Sequence, residues 1–224
     1  NLFVTGISSA NYSALLNDPA RPLVNRTTQG IYAPASTVKP MMSIMGLNEG
    51  AITPGYRYFG GPSFSIPGTT KKFRDWRRWG HGWLDVYRAI EVSADTYFYD
   101  LAYRVGIDKI HAYMTKFGFG QYSGVDLYEE TKGVMPSRDW KMARWRQPWY
   151  QGDTISIGIG QGYWSSTPIQ LAKAISILTQ NGHDVTPHLL KSTASADGVV
   201  NAPINPNVAI AAKSSVPNPR LPGT

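Results

Sequence analysis

An α+β domain dominated by helix is what this sequence leads one to expect, and three observations lead there. Apolar residues recur at helical spacing in several separate stretches, strand-like runs are few and short, and glycine and proline break the chain between them. With 224 residues, 42% of them hydrophobic and 17% charged, the chain can bury a sizeable core, and collagen-like and fully disordered classes are excluded. There is no cysteine, so neither a disulfide framework nor thiolate chemistry is available.

Residues 1 to 35 carry turn signals at Asn17-Asp18-Pro19, Arg21-Pro22 and Ala33-Pro34, and read as mainly loop. The first helical stripe follows from Ser36 to Asn48, with Val38, Met41, Met42, Met45 and Leu47 on one side, Ser36 as N-cap and Gly50 as the stop. Pro40 fits only near the start of such a helix, because deeper inside it removes a hydrogen bond and clashes with the preceding turn. Residues 51 to 82 return to loop.

Leu84, Tyr87 and Ile90 begin a second helical face, Ser93 to Val105 restarts it before Gly106, and Ile107 to Phe117 adds a third, stopped by Gly118. Residues 118 to 165 read as loop-rich. From Thr167, with Pro168 in the first turn, TPIQLAKAISILT predicts a helix ended by Asn181-Gly182. The strand candidates are ISIGIG (155–160), HLLKST (188–193) and NVAIAA (207–212). One domain over residues 1–215 with a proline-rich tail over 216–224 is the expected organisation.

The net charge of +7 is concentrated in two segments. Lys71 to His81 sets five basic residues against one acid, and Arg138 to Tyr150 sets four against one; both alternate cations with aromatic rings. Such a pattern can stack bases and grip phosphates, but no nucleic-acid-binding motif accompanies it. Without such a motif, arginine and lysine stems lying over half-buried rings and sealing a loop to the domain account for it better, so no nucleic acid is expected as a partner; an anionic glycan or lipid-headgroup surface is a third reading.

Without cysteine, covalent catalysis needs a hydroxyl beside a base. Ser36-Thr37-Val38-Lys39 places a serine three residues before a lysine at a helix start, on one face, where backbone N–H groups and the positive dipole end favour a developing oxyanion. The lysine must be held neutral by burial or neighbouring cations to act as a base. A lone pair of this kind is more often a capping serine and a surface lysine.

The wider pattern changes that balance. Ser36-x-x-Lys39, then Ser93-Ala94-Asp95 between two helical segments, resembles the first two motifs of penicillin-binding proteins and serine β-lactamases. GIGQGYWSSTPIQLAKA (158–174), KFGFGQYSGVDLYEE (116–130), WRRWGHGWLD (76–85) and RQPWYQGD (146–153) narrow the resemblance to class B transpeptidases of the elongation, rod-shape type.

That resemblance implies an antiparallel sheet flanked by helices, with the helical part dominant and the sheet incomplete in this chain. It implies peptidoglycan D,D-transpeptidase activity, with Ser36 as nucleophile, Lys39 as its base, Ser93 passing a proton to the leaving group and Asp95 orienting Lys39. β-Lactams would acylate the same serine. Gln161 and Gly162 would border the substrate. The family's third motif, Lys-Thr-Gly or Lys-Ser-Gly on a strand, has its nearest counterpart in Lys213-Ser214, which is followed by Ser215 and Val216.

Implied partners are stem peptides on a lipid-linked precursor, a glycan polymerase and rod-complex scaffold proteins. The implied location is the periplasm, with an inner-membrane anchor at the N-terminal side that this sequence does not include. Some such relatives bind zinc through two Asp, a His and a Cys. Asp75 and His81 stand at two of those places, but Ala94 and Gly60-Gly61 occupy the others, so no metal and no cofactor is expected. The remaining readings are a catalytically inactive fragment of such a domain or, from the charge pattern alone, a nucleic-acid binder.

Overall fold

The structure, a computed structural model, describes residues 2–194, 198, 200 and 201. In chain order the helices are α1 (Ser9–Leu16), α2 (Arg26–Gln29), α3 (Lys39–Asn48), α4 (Val86–Glu91), α5 (Asp95–Val105), α6 (Ile107–Lys116), α7 (Arg138–Trp145), α8 (Gln151–Ile157) and α9 (Pro168–Thr179). The strands are β1 (Tyr58–Gly60), β2 (Ser63–Phe64), β3 (Phe73–Arg74), β4 (Gly82–Leu84), β5 (Thr193–Ala194) and β6 (Val200–Asn201). They form three antiparallel two-stranded ladders, β1 with β4, β2 with β3 and β5 with β6.

The core is built around α5, which packs against α3, α6, α8 and strands β1 to β3. Val38, Met41, Met42 and Met45 are fully buried, as the helical stripe predicts, and meet Phe98 and Leu101 of α5 in the same cluster. Close approach is bought by small residues: a Cβ on Gly46 would lie 2.8 Å from Leu101 Cδ1, and one on Gly158 would lie 2.4 Å from the Phe98 carbonyl oxygen. Helix α9 starts in a reciprocal cap. The Thr167 hydroxyl accepts from Gln170 N and the Gln170 amide oxygen accepts from Thr167 N. The Gln170 amide nitrogen also donates to the carbonyls of Gln121 and Lys132, pinning the long loop between α6 and α7.

Several expectations are corrected. Residues 155–160 are not a strand: Ile155 to Ile157 close α8 and Gly158 to Gly160 turn away from it. Their alternation misleads because Ile155, Ile157 and Ile159 are all buried, one set by a helix and the last by a turn. Residues 1–35, expected to be mainly loop, and 118–165, expected to be loop-rich, contain the short helices α1, α2, α7 and α8. Helix α1 has no buried residue, so no apolar stripe marks it. Of the 188–193 candidate only Thr193 is in a strand, and the 207–212 candidate lies outside the described residues.

The second basic segment is sealed onto the domain by one cation. Lys141 is 1% exposed, its ammonium 2.5 Å from Asp153 and within 4.5 to 5.9 Å of the ring centres of Tyr150, Tyr163 and Trp149. Asp153 also accepts from Tyr150 N at the start of α8. This ring cage is the loop-sealing use of cations and aromatics.

Candidate active site

Ser36 sits in a 3₁₀ turn, Ala35–Val38, that runs directly into α3. It does not cap the helix as the sequence suggested, for neither the turn nor α3 has a side-chain cap. Pro40, in the first turn of α3, fixes the start of the helix just after the serine. Ser36 is exposed, while Lys39 is 1% exposed.

The turn is held under strain. Ala35 has φ 51°, a left-handed conformation that costs a residue with a Cβ. It is maintained by the Gly158 to Gly162 segment, whose Gly160 carbonyl accepts from Ala35 N at 2.8 Å. Gly160, at φ 68°, comes so close that a Cβ there would lie 2.4 Å from the Ala35 carbonyl oxygen. Tyr32 and Ser166 exchange backbone hydrogen bonds just beyond. Gln161 and Gly162 are therefore exposed on the loop that braces Ser36.

Ser93 lies in the break between α4 and α5, also at a left-handed φ of 52°, and Asp95 begins α5. That break turns both toward Lys39. The Lys39 ammonium nitrogen is 2.6 Å from Asp95 Oδ1, 3.0 Å from Ser93 Oγ and 2.8 Å from the Ser93 carbonyl oxygen. Phe98 covers it at 5.4 Å. Burial pulls the Lys39 pKa down; the hydrogen bond and charge of Asp95, then the charge of Asp75, oppose this, and the net value lies below that of an ordinary lysine.

The consequence for proton transfer follows from counting donors. As an ammonium, Lys39 donates all three N–H groups to these three oxygens. As a neutral amine it has two N–H groups and a lone pair, and of the three oxygens only the Ser93 hydroxyl can donate to that lone pair. The Lys39 to Ser93 contact is thus where a proton can change hands, one helical turn from Ser36.

Three supports were not read from the sequence. Trp76 donates through its indole N–H to the Val92 and Ser93 carbonyls, although the ring is 64% exposed. Asp75 accepts from Thr96 N and Thr96 Oγ1 through one oxygen and from Arg77 N and His81 Nε2 through the other. Phe98 shields Lys39. Of these only Asp75 carried a sequence signal, as an expected remnant of a zinc set. The residues do not fit zinc: both Asp75 oxygens are occupied, Gly60, Gly61 and Ala94 offer no side-chain donor, and no group of three His, Cys, Asp or Glu gathers among the described residues. Lys213 and Ser214 lie outside the described residues.

Comparison with known proteins fits this geometry. Residues 4–217 match the penicillin binding protein transpeptidase domain. The chain belongs to the penicillin-binding transpeptidase family. It is 57% identical over 194 residues to the peptidoglycan D,D-transpeptidase MrdA of Escherichia coli (strain K12), covering 87% of this chain and 31% of that protein. It is 45% identical over 212 residues to MrdA of Acinetobacter baumannii, covering 91% of this chain and 30% of that protein. This penicillin-binding transpeptidase chain therefore spans about a third of the length of the curated relatives it matches. Among solved structures, Pseudomonas aeruginosa PBP2 superposes with a TM-score of 0.84 at 45% identity, covering 92% of this chain and 44% of that one. Helicobacter pylori PBP2 gives 0.80 at 34% identity, covering 92% and 38%.

Proposed function

We propose that this chain carries the acyl-transfer site of an elongation-type peptidoglycan D,D-transpeptidase. The observation that carries the reading is the buried Lys39 amine, held by Ser93 and Asp95 one turn behind an exposed Ser36. The Ser36 oxygen attacks the penultimate carbonyl of a stem peptide ending in D-Ala-D-Ala, and its proton passes to Lys39. The C–N bond to the terminal D-alanine then breaks as Ser93 delivers the proton to the leaving amine. An amine from a neighbouring stem attacks the ester, regenerates Ser36 and completes the crosslink. Asp95 keeps the Lys39 amine aimed through both proton transfers. No metal or cofactor is needed for these steps.

Gln161 and Gly162 border the substrate beside the nucleophile, and Lys213 with Ser214 supplies the cation and hydroxyl that meet the substrate's terminal carboxylate. β-Lactams acylate Ser36 by the same first step. Natural partners of the whole protein are the lipid-linked precursor, a glycan polymerase and rod-complex scaffold proteins. A Helicobacter pylori PBP2 with 34% identity and a TM-score of 0.78 was solved in complex with MreC, and a 32% identical chain with a TM-score of 0.74 comes from a peptidoglycan synthase complex that coordinates polymerization and crosslinking. Work of this kind takes place in the periplasm, on a protein anchored to the inner membrane; no described helix is long and apolar enough to cross a membrane.

The test is intact mass after incubation with a penicillin, on the parent, Ser36→Ala and Lys39→Ala. One adduct on the parent and none on Ser36→Ala supports the reading. A folded parent that takes up no label sinks it and identifies the chain as an inactive member of the family.

A further inference from the structure

The first basic segment braces the site through Asp75 and Trp76, but its lysines and arginines take no part in the acyl-transfer steps. The β2 to β3 ladder pairs Ser63 with Arg74 and Phe64 with Phe73, so the two phenylalanines are buried while Arg74 is exposed. Gly80, at φ 74°, lets the chain double back onto Gly60 and Gly61, where a Cβ would collide with backbone at 2.4 Å. The result is a cleft of about 400 Å³ lined by Pro62, Ser63, Lys72, Arg74, Asp75 and Arg78.

Its charge is one-sided. The Asp75 oxygens are taken up by Thr96, Arg77 and His81, leaving that carboxylate committed to the protein. Among the described residues, none of Lys72, Arg74 and Arg78 has a carboxylate within ion-pair distance, and the Arg78 guanidinium lies over Trp79 at 4.9 Å. Unpaired cations around a concavity concentrate anions, and arginine matches a carboxylate through two parallel hydrogen bonds. The cleft also adjoins the active site: Asp75 holds Thr96, the residue after Asp95, and Asp95 holds Lys39.

We infer that this cleft is a subsite for a carboxylate of the substrate's stem peptide, at a point on the stem distinct from its D-Ala-D-Ala end. The inference rests on the transpeptidase reading. A concave cleft hydrogen-bonded through Asp75 to Thr96, the residue next to Asp95, suits a flexible peptide better than a flat phospholipid surface.

The experiment is an equilibrium titration of the 224-residue chain with a short stem-type peptide carrying free internal carboxylates, and with the same peptide amidated at those carboxylates. It is repeated on Lys72→Gln, Arg74→Gln, Arg78→Gln and Arg74→Lys, with Arg144→Gln removing an equal charge from α7. Amidation, and each glutamine variant in the cleft, should weaken binding about tenfold, the worth of one charge-assisted hydrogen bond. Arg74→Lys should recover part of the loss and Arg144→Gln should change nothing. Equal affinity for the amidated peptide, or an equal loss in Arg144→Gln, overturns the subsite, as does binding only to phosphatidylglycerol vesicles. A parent that is acylated by penicillin but shows no carboxylate-dependent binding overturns the subsite and leaves the transpeptidase reading intact. A parent that binds the acidic peptide through these residues but is never acylated supports the subsite and overturns the activity alone.

Discussion

In the proposed mechanism the chemistry turns on Lys39, and its environment sets a pH dependence. Asp95 raises its pKa against the lowering effect of burial. Replacing Asp95 with Asn removes a negative charge, so Lys39 is neutral down to a lower pH and the acid limb of the acylation rate should move toward lower pH. Lys39→Ala should cost about a hundredfold or more in acylation rate, the range for a positioned acid or base. An acid limb that stays in place in Asp95→Asn would argue against Lys39 as the base. Ala35 offers a separate test: glycine relieves its left-handed φ, so Ala35→Gly should stabilise the fold by about 0.5 to 1 kcal/mol, read as a higher thermal midpoint. At this scale the sequence shows which residue types could meet, since the spacing of Ser36 and Lys39 follows from helix geometry. It does not show the strain at Ala35, nor the indole of Trp76 on the Ser93 carbonyl, because each depends on contacts between separate segments of the chain.

Helices α5 and α8 pass so closely that Gly158 has no room for a side chain. Gly158→Val should therefore cost about 3 kcal/mol or more in urea unfolding, since the obstructing atoms are backbone and cannot rotate away. The ring cage on α7 gives a second prediction. Lys141→Met leaves Asp153 partly buried without its cation and should destabilise by about 3 kcal/mol, with Lys141→Met/Asp153→Asn recovering much of it. Burial lowers the Lys141 pKa, but Asp153 together with Tyr163 and Tyr150 more than offsets this, leaving it above the ordinary 10.5. A raised folded pKa contributes stability that is complete below 10.5 and disappears as the pH rises through the folded value, so this segment should loosen only in strong alkali. Helices with a full apolar stripe, α3, α6 and α9, were legible in the sequence. Short ones such as α1 and α7 were not, because their stabilising groups are caps and long-range rings rather than a periodic face.

On the scale of the whole molecule, the helix-rich α+β character was legible, and so was the family, because motifs scattered over some 140 residues converge on one pattern. The small ladders were less so, since each depends on pairing between segments rather than on a run of strand-forming residues. Residues 2 to 23 place no side chain in the core. Deleting them should leave the unfolding free energy within about 0.5 kcal/mol of the parent, and a larger loss in urea denaturation would show that α1 is part of the stable unit. The central place of α5 has a kinetic consequence. It carries Asp95 and Thr96 at one end and joins α3, α6, α8 and three strands along its length, so partners separated by more than a hundred residues are brought together only when it docks. Docking α5 against α3 also assembles the Lys39, Ser93 and Asp95 cluster. Conservative truncations along α5 should slow refolding more than they speed unfolding, and the capacity to be acylated should return with the same time constant as the native fluorescence.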